Sequence, residues 1–127
     1  MITKGVAELV AEASEVITTY TAEEAIVLSA DSDVLLVDIR DVRELSRDGR
    51  VPGALHAPRG MLEFWVDPNS RYFKPVFGED KKVVLFCAGG GRSALAALAL
   101  QNMGMDQVSH IGSGFRGWRD AGGEVST

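Results

Sequence analysis

The sequence predicts an α/β fold built around a parallel β-sheet. Two continuous apolar runs, residues 34–37 and 83–86, lack the polar alternation of a half-exposed strand, which is typical of strands covered on both faces. Segments with a helical spacing of apolar residues lie between these runs and weaker strand candidates. Because strands that alternate with helices are characteristic of α/β proteins, we expect helices to cover the sheet.

The N-terminal part of the chain predicts a helix, a short strand and a second helix. Over about residues 3–14, apolar residues recur at helical spacing and acidic residues occupy the other faces. Residues 16–19 are mostly β-branched and favour a short strand. Thr21 and Glu24 have the spacing of a capping box, which predicts a helix that begins there and continues to about Ala30.

The central part predicts a helix, a weak strand and a long irregular segment. The helix is expected over residues 42–48 and the strand over residues 54–57. Residues 58–80 combine prolines and glycines with five aromatic residues. This segment is too aromatic for a solvated linker, so we interpret it as a packed loop with a helical turn near residues 61–64.

The C-terminal part predicts a helix, a strand and a last helix. Residues 93–103 are apolar on almost every face, which is typical of a buried helix. Gly104 is well placed to end that helix. A strand is expected over residues 108–111 and a short helix over residues 115–121.

The composition excludes several classes of protein. A chain of 127 residues is expected to form one main domain. Its single Cys excludes an internal disulfide, a Cys-x-x-Cys redox pair and a multi-cysteine zinc site. The formal net charge of -5 argues against a nucleic-acid partner, and no uninterrupted apolar segment is long enough for a membrane partner. We expect no secretory signal and a reducing, cytoplasmic location.

The residues with the clearest chemical meaning join the second apolar run to the buried helix. They are Cys87, Ala88, Gly89, Gly90, Gly91, Arg92 and Ser93. Because glycine has no Cβ, such a loop can curl so that several backbone N–H groups point at one centre. These groups and the helix dipole would lower the pKa of the Cys87 thiol, and Arg92 would bind an oxyanion. The segment therefore predicts a nucleophile beside an anion site.

Two chemistries use such a loop, and the loop length distinguishes them. In phosphoryl transfer, five residues separate the Cys from an Arg that holds the phosphate, whereas four residues separate Cys87 from Arg92. In addition, Phe86 rather than a His precedes the Cys. Sulfane-sulfur transfer, in which the thiolate holds one sulfur atom as a persulfide, suits this smaller loop better.

Four blocks of the sequence match a known family pattern in order. They are VLLVDIRD at residues 34–41, GRVPGA at 49–54, CAGGGRS at 87–93 and GSGFRGW at 112–118. On these blocks the chain resembles a single-domain rhodanese (thiosulfate sulfurtransferase-like) protein over roughly residues 16–125. Arg50 stands where that family usually has His, and Ser113 interrupts its usual glycine pair. The resemblance implies an N-terminal amphipathic helix extension at residues 1–15 and a rhodanese-like domain at residues 16–127.

The resemblance also implies a fold and a reaction. The fold is a central parallel five-stranded sheet flanked by helices on both faces, and the catalytic nucleophile is Cys87. A small anionic donor such as thiosulfate would load Cys87 as a persulfide, and cyanide, a small thiol or a protein thiol would unload it. The backbone from Ala88 to Arg92, followed by Ser93, would hold the added sulfur, with no metal or organic cofactor.

Other charged residues are candidates for supporting roles. Arg59 is expected either to attract the anionic donor or to pair with Glu63, four residues later. Asp38 directly follows a strand and is expected to form a turn, to cap the next helix or to support the active loop. His56 and His110 lie on predicted strands and are interpreted as structural.

Two other functions are compatible with the same residues. A non-enzymatic rhodanese-like module would carry a persulfide to a partner protein or simply bind one. A thiol phosphatase or arsenate-handling enzyme would use the Cys87 thiolate on a similar fold, although the short loop argues against it.

Overall fold

The computed structural model describes residues 1–127 and contains one five-stranded sheet. Its strands are β1 (Thr18–Tyr20), β2 (Val34–Asp38), β3 (Leu55–His56), β4 (Lys82–Phe86) and β5 (Val108–Ile111). They lie in the order β1-β5-β4-β2-β3, and each neighbouring pair is parallel. The predicted α/β fold with a parallel five-stranded sheet is confirmed.

Six α-helices accompany the sheet. They are α1 (Val6–Val16), α2 (Ala22–Leu28), α3 (Val42–Asp48), α4 (Leu62–Val66), α5 (Gly91–Asn102) and α6 (Gly114–Asp120). Short 3-10 turns occupy Arg59–Met61 and Pro75–Gly78. The helices predicted from the sequence are all present, with ends that differ from the predictions by no more than three residues. None of these helices has the length and apolar character that a membrane span requires.

The helix ends follow the local sequence signals. In α2, the Thr21 hydroxyl accepts the Glu24 N–H at 3.1 Å and the Glu24 carboxylate accepts the Thr21 N–H at 2.9 Å, so the predicted capping box is confirmed. Helix α5 begins at Gly91, two residues earlier than predicted, because the Gly90 carbonyl already accepts the N–H of Ala94. Gly104, with φ +100°, lies just beyond the end of α5, as expected for a helix stop.

The core has two parts, one on each face of the sheet. Val83, Leu85 and Cys87 belong to one cluster, which contains residues of α1, α4 and α5. Val84 and Phe86 belong to the other, which contains residues of α2 and α6. Helices therefore flank both faces, and the period-2 geometry of the extended backbone directs the Cys87 side chain to the α5 face.

The irregular segment 58–80 is packed, as predicted. Leu62 is fully buried, and Phe77 is 8% exposed in the same cluster as α5. The Trp65 carbonyl accepts the N–H of Lys74, which closes the segment on itself. Phe64 and Tyr72 are exposed and form an edge-to-face pair with ring centroids 6.3 Å apart.

Helix α1 packs against α5. Ala13 is completely buried in the cluster on that face. The Gln101 side-chain amide donates a hydrogen bond to the Val16 carbonyl at 3.2 Å, which joins the end of α1 to the last turn of α5. The N-terminal helix therefore covers part of the helix that begins at the Cys87 loop.

Candidate active site

The Cys87 loop occupies the carboxyl edge of the sheet. Strand β4 ends at Phe86 and helix α5 begins at Gly91, so Cys87, Ala88, Gly89 and Gly90 form the turn between them. The Phe86 carbonyl accepts the N–H of Ile39, which follows the neighbouring strand β2. Sites of open α/β sheets lie at this edge, where connections leave the strands.

The loop conformation requires glycine at its tightest point. Gly90 has φ +106°, a region that side chains disfavour, and a Cβ on it would collide with the Gly112 carbonyl oxygen. The N–H of Gly90 then points at the Cys87 sulfur, with N and Sγ 3.1 Å apart. Gly90 thus supplies one of the inward-facing amides that the sequence predicted.

The start of α6 holds the other side of the loop. The carbonyl of Cys87 accepts the N–H of Phe115 at 2.8 Å, and the carbonyl of Ala88 accepts the N–H of Arg116 at 3.2 Å. Gly114 has φ +64°, and a Cβ on it would press against both of these carbonyls. The GSGFRGW block at residues 112–118 therefore lies directly against the loop it was expected to close.

Cys87 is buried but surrounded by hydrogen-bonding groups. The residue is 1% exposed, and its sulfur lies 3.1 Å from the Gly90 N–H nitrogen and 3.6 Å from the Ser93 hydroxyl. Burial raises the pKa of the thiol, but the hydrogen bonds from Ser93, Gly90 and Gly89 together outweigh it and hold the pKa below its usual value. The environment therefore favours the thiolate, the nucleophilic form of cysteine.

Arg92 begins α5 beside the loop and is already paired. Its guanidinium binds the Glu44 carboxylate of α3 through two hydrogen bonds of 3.0 and 3.2 Å. This contact with Glu44 is the main reason that the pKa of Arg92 is raised. The nearby Cys87 makes a smaller contribution to the same rise. A bound anion would therefore have to share the Arg92 side chain with Glu44.

Arg59 lies in the same cleft as Arg92. The cleft has a volume of about 350 Å³, and its lining includes Asp41 and His56 as well as the two arginines. Arg59 forms a 2.7 Å ion pair with Glu63, the second of the two arrangements that its sequence position predicted. Arg40 also lines the cleft, so three arginines and one carboxylate, Asp41, border it near the start of α5.

Asp38 does not cap the next helix, so that part of the expectation is wrong. It is buried at the end of β2, and its carboxylate binds Arg40 through Nε at 3.0 Å and Nη2 at 2.8 Å. The cap of α3 is Asp41, whose carboxylate accepts the Arg43 N–H at 2.9 Å. The reason is distance along the chain, because α3 begins at Val42, beyond the reach of a side chain at position 38.

His110 lies at the site, although its sequence position predicted only a structural role. Its Nδ1 lies 2.9 Å from the Ser93 hydroxyl, and its Nε2 lies 3.1 Å from the Thr19 hydroxyl. Burial lowers the pKa of His110, so the imidazole is neutral near pH 7. The alternation of side chains along a strand could have indicated it. His110 is two residues after Val108, so both side chains lie on the α5 side of the sheet. His56 donates from Nε2 to the Arg40 carbonyl at 2.7 Å, a contact that fits the structural role expected of it, and it also lines the cleft of Arg59 and Arg92.

Arg116 is a second residue that the sequence analysis did not single out. Its Nη1 lies 3.5 Å from the position that a Cβ on Gly89 would occupy, so the guanidinium borders the exposed side of the loop. Unlike Arg92 and Arg59, Arg116 forms no ion pair. The loop is therefore bordered by a cation that is free to bind an anion.

The chain is similar to proteins named as sulfurtransferases. It is 31% identical over 91 residues to a sulfurtransferase from Allochromatium vinosum, a match that covers 72% of this chain and 77% of that protein. It is 29% identical over 104 residues to the thiosulfate sulfurtransferase GlpE of Glaesserella parasuis, covering 82% and 88% of the two chains. Two other curated relatives are longer, since the match spans 58% of a Mus musculus thiosulfate sulfurtransferase/rhodanese-like domain-containing protein and 44% of a Bacillus subtilis protein.

A solved structure resembles the whole chain. It is from Rhodopseudomonas palustris, with a TM-score of 0.95 and 55% identity, and the match covers 99% of this chain and 97% of that one. That protein is described as being of unknown function and a possible tyrosine phosphatase. The family model of the rhodanese-like domain matches residues 21–121, which include every element from α2 to α6 and the whole Cys87 loop. The chain therefore belongs to the rhodanese-like domain family.

Proposed function

We propose that the protein is a sulfurtransferase that carries sulfane sulfur as a persulfide on Cys87. The thiolate attacks the outer sulfur of a donor such as thiosulfate, the donor S–S bond breaks, and sulfite leaves with the bonding electron pair. An acceptor then attacks the outer sulfur of the persulfide. Cyanide leaves as thiocyanate or a thiol leaves as its own persulfide, and the Cys87 thiolate is restored.

One observation carries this proposal: the short loop closes directly on the Cys87 sulfur. The Gly90 amide lies 3.1 Å from Sγ, and α5 begins immediately after it. Backbone amides and the helix N-terminus stabilise a negative charge at this point, whether it is on the thiolate or on a persulfide. The names of the similar proteins from Allochromatium vinosum and Glaesserella parasuis also support sulfur transfer.

The charges around the loop support a small anionic donor. Arg116 borders the exposed side of the loop without a carboxylate partner, and Arg92 and Arg59 lie in a cleft next to it. The acceptor comes from outside the chain, because Cys87 is the only Cys and no second thiol can resolve the persulfide. We place this chemistry in a reducing compartment such as the cytoplasm, where a lone thiol stays reduced.

Mass spectrometry of the intact protein tests the proposal. After incubation with thiosulfate, the protein is expected to gain the mass of one sulfur atom, and subsequent cyanide is expected to remove it with formation of thiocyanate. Cys87→Ser is expected to show neither change. A wild-type protein that keeps its mass while iodoacetamide still alkylates Cys87 would refute thiosulfate as the donor, and polysulfide would then be tested in the same way.

Turnover separates the enzyme from the non-enzymatic alternative. Repeated formation of thiocyanate in excess over protein is expected of a sulfurtransferase. Loading of one sulfur per chain without further release to cyanide would instead indicate a module that carries the persulfide to a partner protein.

A phosphatase is the second candidate, because the similar Rhodopseudomonas palustris protein is described as a possible tyrosine phosphatase. Its test is hydrolysis of p-nitrophenyl phosphate, with Cys87→Ser as the control. We expect no Cys87-dependent hydrolysis, since the loop has one residue fewer than the phosphate-binding loop of such enzymes and Arg92 is held by Glu44.

A further inference from the structure

A chain of hydrogen bonds connects the Cys87 sulfur to the edge of the sheet. The sulfur lies 3.6 Å from the Ser93 hydroxyl, which lies 2.9 Å from Nδ1 of His110. On the other side of the ring, Nε2 of His110 lies 3.1 Å from the Thr19 hydroxyl. We propose that His110 positions the Ser93 hydroxyl toward Cys87 and that this chain passes the thiol proton outward to Thr19.

Burial closes the Cys87 thiol off from solvent on the side of Ser93 and His110. Cys87, Ser93 and His110 are 1%, 0% and 3% exposed, so water does not reach the thiol proton directly from this side. Thr19, in contrast, is an exposed residue on β1, the edge strand of the sheet. The chain of hydroxyl, imidazole and hydroxyl therefore runs from the buried sulfur to solvent.

The neutral imidazole has two forms, and each sets a different direction for the hydrogen bonds between Cys87 and Thr19. With the proton on Nδ1, His110 donates to the Ser93 oxygen. The Ser93 proton then has two acceptors, the Cys87 sulfur at 3.6 Å and the Gly90 carbonyl at 3.2 Å, and it turns to the sulfur when Cys87 is a thiolate. With the proton on Nε2, His110 accepts from Ser93 at Nδ1, so Ser93 offers Cys87 only a lone pair, which suits the thiol. Only a neutral imidazole has these two forms, since the cation donates from both nitrogens.

The surroundings of His110 keep it neutral without holding it in one form. Its partners are Thr19 on β1, Leu85 on β4 and Ser93 on α5, and none of these is ionisable. The titratable groups of these elements and of the adjoining loop are Tyr20, Lys82, Cys87 and Arg92. Helix α6, which carries Arg116, Arg119 and Asp120, packs on the opposite face of β5. Burial alone lowers the pKa of His110, with no contribution from a neighbouring charge, so the protons of the ring respond to Cys87 through Ser93.

Ionisation of Cys87 then moves one proton at each link. The thiol proton passes to the Ser93 oxygen, the Ser93 proton passes to Nδ1 of His110, and the Nε2 proton passes to the Thr19 oxygen. The Thr19 hydroxyl releases one proton to water. The net change is a thiolate at Cys87, a proton in solvent and a His110 ring that has exchanged its Nε2–H form for its Nδ1–H form.

The pH profile of Cys87 alkylation tests this proposal on the full chain. The rate of alkylation by iodoacetamide reports the ionisation of Cys87 alone, because the protein has no other Cys. His110→Ala is expected to raise the apparent pKa of alkylation by about one unit, the size of a hydrogen bond to a charged group. His110→Asn is expected to recover part of this shift, since the Asn amide can still donate to Ser93.

Thr19→Val tests the outer end at an exposed position, where loss of folding is not expected. It is expected to raise the apparent pKa, whereas the matched variant Thr18→Val, on the same strand, should leave the profile unchanged. Profiles of His110→Ala and Thr19→Val that both coincide with the wild-type profile would overturn the proposal. If His110→Ala does not fold, Thr19→Val against Thr18→Val decides alone.

Nitrogen-15 NMR of the histidine rings tests the proton positions without a substitution. His56 is the internal reference for an Nε2–H ring, because its Nε2 donates to the Arg40 carbonyl at 2.7 Å. At a pH where Cys87 is a thiolate, His110 is expected to be the Nδ1–H form. An Nε2–H form of His110 in that state would contradict the proposed direction of the chain.

The inference rests on the proposed reactivity of Cys87 but not on sulfur transfer itself. A protein that loads no sulfur and yet shows the shifts in alkylation would refute the proposed function and support the hydrogen-bond chain. A protein that loads sulfur and shows no shift in the alkylation profile would support the proposed function and refute the hydrogen-bond chain.

Discussion

Asp38 and Arg40 form the most deeply buried ion pair of the protein. They are 2% and 1% exposed, and the Arg40 guanidinium also donates to the Gly49 carbonyl at 2.8 Å. Its remaining nitrogen, Nη1, has no hydrogen-bond partner, and the guanidinium lies 4.0 Å from the ring centroid of Phe115. Because the N–H of Phe115 donates to the Cys87 carbonyl, this pair supports a residue that holds the Cys87 loop.

Asp38→Asn should destabilise the protein strongly. It leaves the Arg40 charge buried without a counter-charge, which typically costs about 3–5 kcal/mol of unfolding free energy. Urea denaturation measures the loss. The matched control is Asp48→Asn, whose pair with Arg47 is exposed, so this substitution is expected to change the unfolding free energy little. If Asp38→Asn lowers the unfolding free energy no more than Asp48→Asn does, the buried pair is not important for stability.

The arginines at the site show how one residue type acquires different roles from its neighbours. Arg92 and Arg59 are held by Glu44 and Glu63, whereas Arg116 has no carboxylate partner. The sequence indicated Arg92 because it is close to Cys87 along the chain, and Arg59 because it follows the end of a strand. It did not single out Arg116, because that residue reaches the loop only through the packing of α6.

At the scale of elements, the Cys87 loop is held between three neighbours. Strand β4 leads into it, α5 leads out of it, and the segment from Gly112 to Arg116 closes against it. Two glycines, Gly90 and Gly114, lie where the backbones come closest and where φ is positive. The glycines near the lone Cys are therefore required for close packing as well as for directing backbone amides at the sulfur.

Gly90→Ala should disrupt this contact between elements. The new Cβ would collide with the Gly112 carbonyl, and φ +106° adds strain of roughly 1–2 kcal/mol, so the unfolding free energy should fall by more than about 2 kcal/mol. The control is Gly53→Ala, where φ is +83° but a Cβ meets no atom within 4 Å, so only the backbone strain applies. Urea denaturation compares the two variants. A loss for Gly90→Ala no larger than that for Gly53→Ala would show that the loop can move away from Gly112.

At the scale of the whole molecule, the two faces of the sheet have different roles. The face covered by α1, α4 and α5 contains Cys87 and the hydrogen bonds that lead from it to His110. The opposite face, covered by α2 and α6, supports the loop from behind through Phe115. The same strands that build the apolar core therefore also bring distant polar groups together at their carboxyl ends.

The buried His110 should make the stability of the whole fold depend on pH. Burial lowers its pKa in the folded state, so below about pH 6.5 the unfolded chain binds the proton more readily and the unfolding free energy should fall. The Asp41 pKa is lowered to about 2 by hydrogen bonds from Arg43, so its contribution is present above about pH 4 and is lost only below that value. The two groups therefore act in separate pH ranges.

Urea midpoints between pH 7 and pH 5 measure this effect. The wild-type midpoint is expected to fall over that range, and the midpoint of His110→Asn is expected to fall less, since it has no buried group to protonate. Parallel slopes for the two proteins would show that His110 does not cause the pH dependence.

The sequence by itself determined the elements of this protein and the position of its candidate nucleophile. Apolar runs, helical spacing and the capping box are local patterns, and each is set by residues a few positions apart. For the same reason the loop from Cys87 to Ser93 could be recognised, because its glycines, its strand and its helix are contiguous in the chain.

Only the tertiary structure decided which side chains meet. The partner of Arg92 is Glu44, 48 residues away, and the partner of Ser93 is His110 on another strand. These pairs depend on the sheet order β1-β5-β4-β2-β3, which places β5 between β1 and β4. No local pattern encodes that order. Consequently the burial of the Asp38–Arg40 pair, the free guanidinium of Arg116 and the route from Cys87 to Thr19 follow from packing between distant segments.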